Sequence, residues 1–225
     1  MKKIIKKLIP SFIYKWYSDR ITEYYKRNPD EWREAVWEKE GKPNPPPHII
    51  KYKTILKHLK RSPVQIFIET GTYMGEMVER VAPHFRHIFT IELDAKLHER
   101  AQKKFLNMPH IHCLQGDSAE VLHHLLLRSG WVSEPVAFWL VGHYSGGITA
   151  RAEKVTPILK ELESIHQYVQ QNAQPVFIFI DDAHLFNGTD DYPTLEQMVS
   201  FQRHHFPTYS HIIENNIIIW MPPGS

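Results

Sequence analysis

From Val64 onward the chain alternates short apolar runs with stretches of helical periodicity. The runs Val64–Glu69, His87–Glu92, His110–Gln115, Val136–Val141 and Val176–Asp181 are each six residues long and mostly apolar. That is the pattern of strands in a parallel sheet covered on both faces. Near residues 75–82, 94–106, 118–128, 156–171 and 191–204, apolar positions recur at spacings of three and four, which predicts helices. Five strand–helix units predict an α/β fold with a doubly wound sheet. The end of the chain differs. Tyr209–Ile213 and Asn216–Trp220 are separated by little more than Glu214-Asn215, which is hairpin spacing, so one of the two runs antiparallel and the sheet is mixed. Asp190 stands where it can cap the helix between them and the fifth strand.

Ahead of this body lies a helical extension. Ile4, Ile5, Leu8, Ile9, Phe12, Ile13, Trp16 and Tyr17 form an apolar stripe, interrupted at Pro10. Asn28-Pro29-Asp30-Glu31 is a helix start, with Asn28 as the cap, and Gly41 ends that helix. Pro43-Asn44-Pro45-Pro46-Pro47 is a stiff linker. It divides an extension, residues 1–47, from a body, residues 48–225. The body opens with a helix over about 48–60 whose stripe is Ile49, Tyr52, Ile55, Leu56 and Leu59.

Composition adds little to this picture, but charge does. The chain has 225 residues, 42% of them hydrophobic and 23% charged, which is ordinary for a folded protein. The single cysteine, Cys113, excludes an internal disulfide and a cysteine-based zinc cluster, and fits a reducing, cytoplasmic setting. No apolar run is long enough for a transmembrane helix, and the N-terminus lacks the small-residue site of a signal peptide. The net charge of +2 conceals an asymmetry: residues 1–27 carry eight basic side chains against Asp19 and Glu23. A basic arm on a weakly acidic body argues against nucleic-acid binding, which spreads basic charge over a face. Two readings of the arm stay open. It packs on the body or on a partner subunit, as in a homo-oligomer, or residues 1–17 lie on an anionic membrane at its inner face.

In an open α/β sheet, ligands bind beyond the carboxyl ends of the strands. Those ends hold Glu69, Glu92, Asp117, then Val141 with Gly142-His143, and Asp181-Asp182 with His184. Buried carboxylates are costly without partners, so acids at four of five strand ends point to a site. The loop after the first strand, Glu69-Thr70-Gly71-Thr72-Tyr73-Met74-Gly75, lacks the G-x-G-x-x-G of a dinucleotide fold and the Gly-Lys-Ser/Thr of a P-loop. A ligand with an ammonium and a ribose, without phosphates, suits these acids; S-adenosylmethionine has both.

On these residues the chain resembles class I S-adenosylmethionine-dependent methyltransferases over residues 48 to 220. Glu69 through Gly75 is similar to the family's first motif, acid-x-Gly-x-Gly-x-Gly, with Tyr73 at the middle glycine. The resemblance implies a seven-stranded order 3-2-1-4-5-7-6 with strand 7 antiparallel. It implies that Glu69, Gly71, Thr72, Tyr73 and Gly75 meet the cofactor. Glu92 then holds the ribose hydroxyls, and Asp117 and Ser118 lie beside the adenine. Phe138 through Gly147 and Phe179 through His184 resemble a group of bacterial methyltransferases. These are similar in layout to metal-dependent O-methyltransferases acting on small molecules and sugars. The likeness implies a magnesium ion held by Asp181, Asp182 and an aspartate at the end of the fourth strand.

The chain has Val141 at that last position. A valine cannot ligate a hard cation, and three readings follow. The metal site is weakened or lost and a base does the work; the position is altered in this copy and the chain binds without much activity; or the fourth strand is misaligned with the family. Magnesium keeps several waters, so Asp181 and Asp182 remain as metal candidates. His143, then His184, are the candidate general bases. The loop Ser145 to Ala150 can close over substrate. The expected function is O-methylation of a hydroxyl on a small molecule or glycan. The rival is a catalytically silent scaffold that keeps the cofactor pocket.

Overall fold

The computed structural model describes residues 26–128, 134–141 and 156–225, together with Arg20, Glu23 and Tyr24. The apolar stripe of the arm, His143 and the loop from Ser145 to Ala150 lie outside the described residues. The chain divides into two compact units, Met1–Ile50 and Lys51–Ser225.

In the first unit, α1 (Pro29–Lys39) begins with proline and carries Asp30 and Glu31 in its first turn and Lys39 in its last, as the helix dipole favours. Gly41 ends it at φ 85°. Its N–H and that of Lys42 return to the carbonyls of Glu38 and Trp37, closing a Schellman motif. The Trp37 indole donates to the carbonyl of Pro43 at 2.8 Å and ties the start of the proline segment to this helix. Asn28 does not cap α1. Its side chain donates back to the Tyr24 carbonyl at 2.9 Å, alongside its own backbone N–H at 3.0 Å.

Helix α2 (His48–Leu59) crosses the division and leads into the sheet. The strands are β1 (Ile66–Thr70), β2 (His87–Glu92), β3 (Ile111–Gln115), β4 (Val136–Leu140), β5 (Val176–Ile180), β6 (Ser210–Glu214) and β7 (Ile217–Met221). Their order is β3-β2-β1-β4-β5-β7-β6. The first five are parallel, and β7 is antiparallel to both β5 and β6. Between strands run α3 (Glu76–Val81), α4 (Ala95–Lys104), α5 (Ser118–Arg128), α6 (Ile158–Gln171) and α7 (Leu195–His205). This is the doubly wound, mixed seven-stranded sheet expected.

Alternation along the strands sorts side chains to two cores. Phe67, Trp139, Phe179 and Ile219 meet Ile55 and Leu59 of α2, Val78 of α3 and Phe105 just past α4. Ile68, Phe138, Ile178 and Trp220 meet Leu122 of α5, Leu162 and Ile165 of α6 and Met198 of α7. Two local expectations shift. The final turn is Asn215-Asn216, one residue later than the sequence pattern suggested, with φ 49° and 63°. Both central residues being left-handed makes this the type I′ turn that asparagine tolerates. Thr194, not Asp190, caps α7, in a capping box with Gln197. Asp190 and Asp191 instead form a turn at φ 50° and 65°.

Ile178 is fully buried in β5. Ile178→Ala removes its packing on the second core and lowers stability by about 2–5 kcal/mol, read as a lower urea midpoint with an unchanged slope.

Candidate functional site

The loop after β1 is shaped by its neighbours. Gly71 has φ 102°, and a Cβ there would stand 3.2 Å from the Val141 side chain and carbonyl. Gly75 has φ 69°, and a Cβ there would come within 2.8 Å of the Phe105 ring. Both positions require glycine on conformation and on space. The Gly71 N–H donates to the Ile91 carbonyl at 2.8 Å, and the Gly75 N–H to that of Thr72 at 2.7 Å. A tight loop is thereby pinned to β2 and closed on itself just where α3 begins.

Glu92 at the end of β2 holds this loop in place. One carboxylate oxygen accepts from the Tyr73 N–H at 2.8 Å and the other from the Asp94 N–H at 2.9 Å. Its carbonyl accepts from the Gly116 N–H at 3.0 Å, so one buried residue joins the loops after β1, β2 and β3. Asp117, next along, accepts from the Ala119 N–H at 2.9 Å and starts α5 with Ser118.

Glu69 lies inside, among strand side chains. The Thr90 hydroxyl donates to it at 2.6 Å, and the Thr72 hydroxyl donates to Thr90 at 2.6 Å. Burial, partly offset by the Thr90 bond and reinforced by Glu92 and Asp181, pushes the Glu69 pKa up to about 8. Glu69 therefore holds a proton at neutral pH.

Beyond β5, Asp181 and Asp182 share a lysine. The Lys51 ammonium donates to Asp181 Oδ2 at 2.7 Å and to Asp182 Oδ1 at 3.2 Å, and all three residues are buried. Asp181 Oδ1 accepts from the Asp182 N–H at 2.8 Å, and Asp182 Oδ1 also accepts from the Asn216 amide at 3.2 Å. Burial raises the Asp181 pKa to about 6; the charge of Lys51 lowers it and that of Asp182 raises it. This donor set does not fit magnesium, which asks for six oxygens at roughly 2.0–2.1 Å. Val141 is half-buried and apolar, and the two carboxylates already hold an ammonium. Among the described residues no three His, Cys, Asp or Glu side chains are grouped to hold a metal ion.

Of the residues singled out from sequence, Glu69, Gly71, Thr72, Tyr73, Gly75 and Glu92 are joined by hydrogen bonds into one loop-and-strand unit. Asp117 and Ser118 adjoin it through Gly116, and Asp181 is close enough to act on the charge of Glu69. Thr72 turns its hydroxyl inward to Thr90, so only its backbone faces the loop, while Tyr73 is exposed. His184 is exposed, with its ring Nδ1 paired to the Asn216 amide. Sequence reasoning missed Lys51, Asn216 and Glu161. Lys51 stands four residues before Ile55 and eight before Leu59, on the buried stripe of α2. Glu161 occupies the apolar stripe of α6 with Ile158, Leu162 and Ile165, fully buried. Among the described residues the donors nearest its carboxyl are the Ser118 and Thr70 hydroxyls. Burial raises its pKa to about 7, with the nearby Ser118 and Thr70 hydroxyls pulling it down and Asp117 pushing it up. For Lys51 and Glu161 the signal was a charge on an apolar stripe; Asn216 lay in a turn and carried no such mark.

No family model and no curated protein sequence matches the chain. Its fold is similar to that of solved structures. An O-methyltransferase from Bacillus cereus in complex with SAH has a TM-score of 0.53 at 13% identity, over 85% of this chain and 89% of that one. Cofactor-bound Rv0187 from MTB has a TM-score of 0.53 at 14% identity, over 85% of this chain and 88% of that one. The chain has the Rossmann-like methyltransferase fold.

Glu69 gives a pH signature. Its pKa is raised from 4.5 to about 8 in the folded chain, so over that window the folded state keeps a proton that the unfolded chain has lost. The stability it contributes is complete below about pH 4.5 and is lost as pH rises through about 8. Glu69→Gln carries no charge at any pH. Wild type therefore loses stability relative to Glu69→Gln between about pH 5 and 8, by several kcal/mol, and the difference levels off above, as read by urea unfolding at stepped pH.

Proposed function

We propose that this chain is an S-adenosylmethionine-dependent methyltransferase acting on a hydroxyl of a small molecule or glycan. The observation that carries the reading is Glu92. A buried carboxylate is fixed by two backbone N–H groups beside a glycine loop and keeps further lone pairs for hydroxyl donors, as a ribose-binding acid requires. Solved structures of the same fold hold SAH or a cofactor, which supports it.

In this reading the loop from Gly71 to Gly75 lets the cofactor's amino-acid end approach the backbone. Glu92 accepts from the ribose hydroxyls, and Asp117 and Ser118 flank the adenine. Glu92 makes the mouth acidic, which suits a ligand bearing an ammonium and a sulfonium, while Glu69 stays protonated beneath it. Bound there, S-adenosylmethionine supplies an electrophilic methyl group. The substrate hydroxyl gives its proton to a base. His143 is the first candidate, and His184, paired with Asn216 beyond β5, is the second. No step requires a metal ion, because the residues present do not fit one.

Among the described residues no helix is long and apolar enough to cross a membrane. For the basic arm the proposed contacts are the body of the chain, a second copy, or an anionic membrane surface.

S-Adenosylhomocysteine at about a hundred times its Kd adds about 2.7 kcal/mol. For a chain of this size that raises Tm by roughly 5–10 °C. Glu92→Ala, scored against its own lower baseline, shows no such rise. A wild-type Tm unmoved by millimolar ligand contradicts the reading.

A further inference from the structure

The aspartates at the end of β5 and the lysine between them are the part of the site that cofactor binding leaves unexplained. Lys51 sits in the first turn of α2, where a positive charge opposes the helix dipole. It is also buried, at 5% exposure, where an uncompensated ammonium is costly. Both penalties are offset by the two carboxylates, at 2.7 and 3.2 Å. The lysine is part of the chain, so it reaches the aspartates at a high effective concentration, without the association cost that a free divalent ion meets. Two of its three protons go to Asp181 and Asp182, and the third meets no partner among the described residues. The position from which a third carboxylate would reach an ion carries Val141, whose side chain packs against Gly71.

We propose that Lys51 is a built-in cation that takes the place of a divalent metal, so that the Asp181–Asp182 pair binds no ion and the chain works metal-free. The exclusion of metal stands on the geometry of three side chains. Its consequence for methyl transfer rests on the function proposed above. Lys51 is a positioning residue in this account: it fixes the two aspartates at the end of β5 and supplies the positive charge there. Val141 and Lys51 then belong together, one removing a metal ligand and the other filling the vacated charge.

The probe is Mn2+, followed by loss of the free-ion electron paramagnetic resonance signal on titration into the full chain. Wild type leaves the signal unchanged to millimolar ion. Val141→Asp restores a third carboxylate but keeps Lys51, and it too stays without metal. Val141→Asp combined with Lys51→Met takes up one Mn2+ per chain, at least about tenfold more tightly than either parent. One Mn2+ bound by wild type or by Val141→Asp overturns the proposal, as does a double variant with native circular dichroism that binds none. If the double variant does not fold, the first two titrations decide. S-Adenosylhomocysteine binding is measured alongside, with and without EDTA, and is expected to be the same in both. Its absence throughout sinks the methyltransferase reading and leaves the Mn2+ result standing on its own.

Discussion

Five carboxylates are buried at or near the carboxyl ends of the strands, and the cost of burying charge organises everything around them. Glu69, Glu92, Glu161, Asp181 and Asp182 are each below 9% exposure. Each meets that cost in its own way. Glu92 accepts backbone N–H groups, and in doing so fixes the loops after β1 and β2. Asp181 and Asp182 share the ammonium of Lys51, 130 and 131 residues away in the chain. Glu69 and Glu161 have pKa values pushed up by burial to about 8 and about 7, so each gives up its proton far less readily than an exposed carboxyl. A core built on apolar residues alone would hold these strands together, but it would not hold these loops in this arrangement.

Much of the architecture was legible because its signals are local. Short apolar runs gave every parallel strand to within two residues, and the hairpin spacing gave the antiparallel edge. Glu69, Glu92 and the two glycines were legible because strand ends and positive φ leave marks in sequence. Where the reading slipped, a longer-range demand had prevailed. Asn28 serves the Tyr24 carbonyl of a preceding helical stretch in place of its own helix. Asn215-Asn216 takes the turn because a type I′ turn needs two left-handed residues, and Asn216 then reaches Asp182 and His184. Lys51 lies 130 residues from Asp181, and nothing in either segment alone pairs them. Only a lysine on an apolar stripe, in a helix turn that disfavours it, could have raised the question.

The two halves of the site differ in how they are built. On the β1–β2–β3 side, a glycine loop is held by an acid whose two oxygens each accept one backbone N–H and keep further lone pairs. On the β5 side the polar atoms are already paired with one another: lysine to aspartates, asparagine to aspartate and histidine. Val141 stands between them, against Gly71 and at the end of β4. A ligand entering the first half meets an acidic mouth. In the second, the positive charge of Lys51 is already held between two aspartates.

The most direct measurement is a crystal structure with S-adenosylhomocysteine and Mn2+ both soaked in, with data collected at the manganese edge. The account predicts ligand density against Glu92 and the Gly71–Gly75 loop, the Lys51 ammonium still between Asp181 and Asp182, and no anomalous peak there. A manganese peak bonded to both aspartates with Lys51 turned away would contradict it.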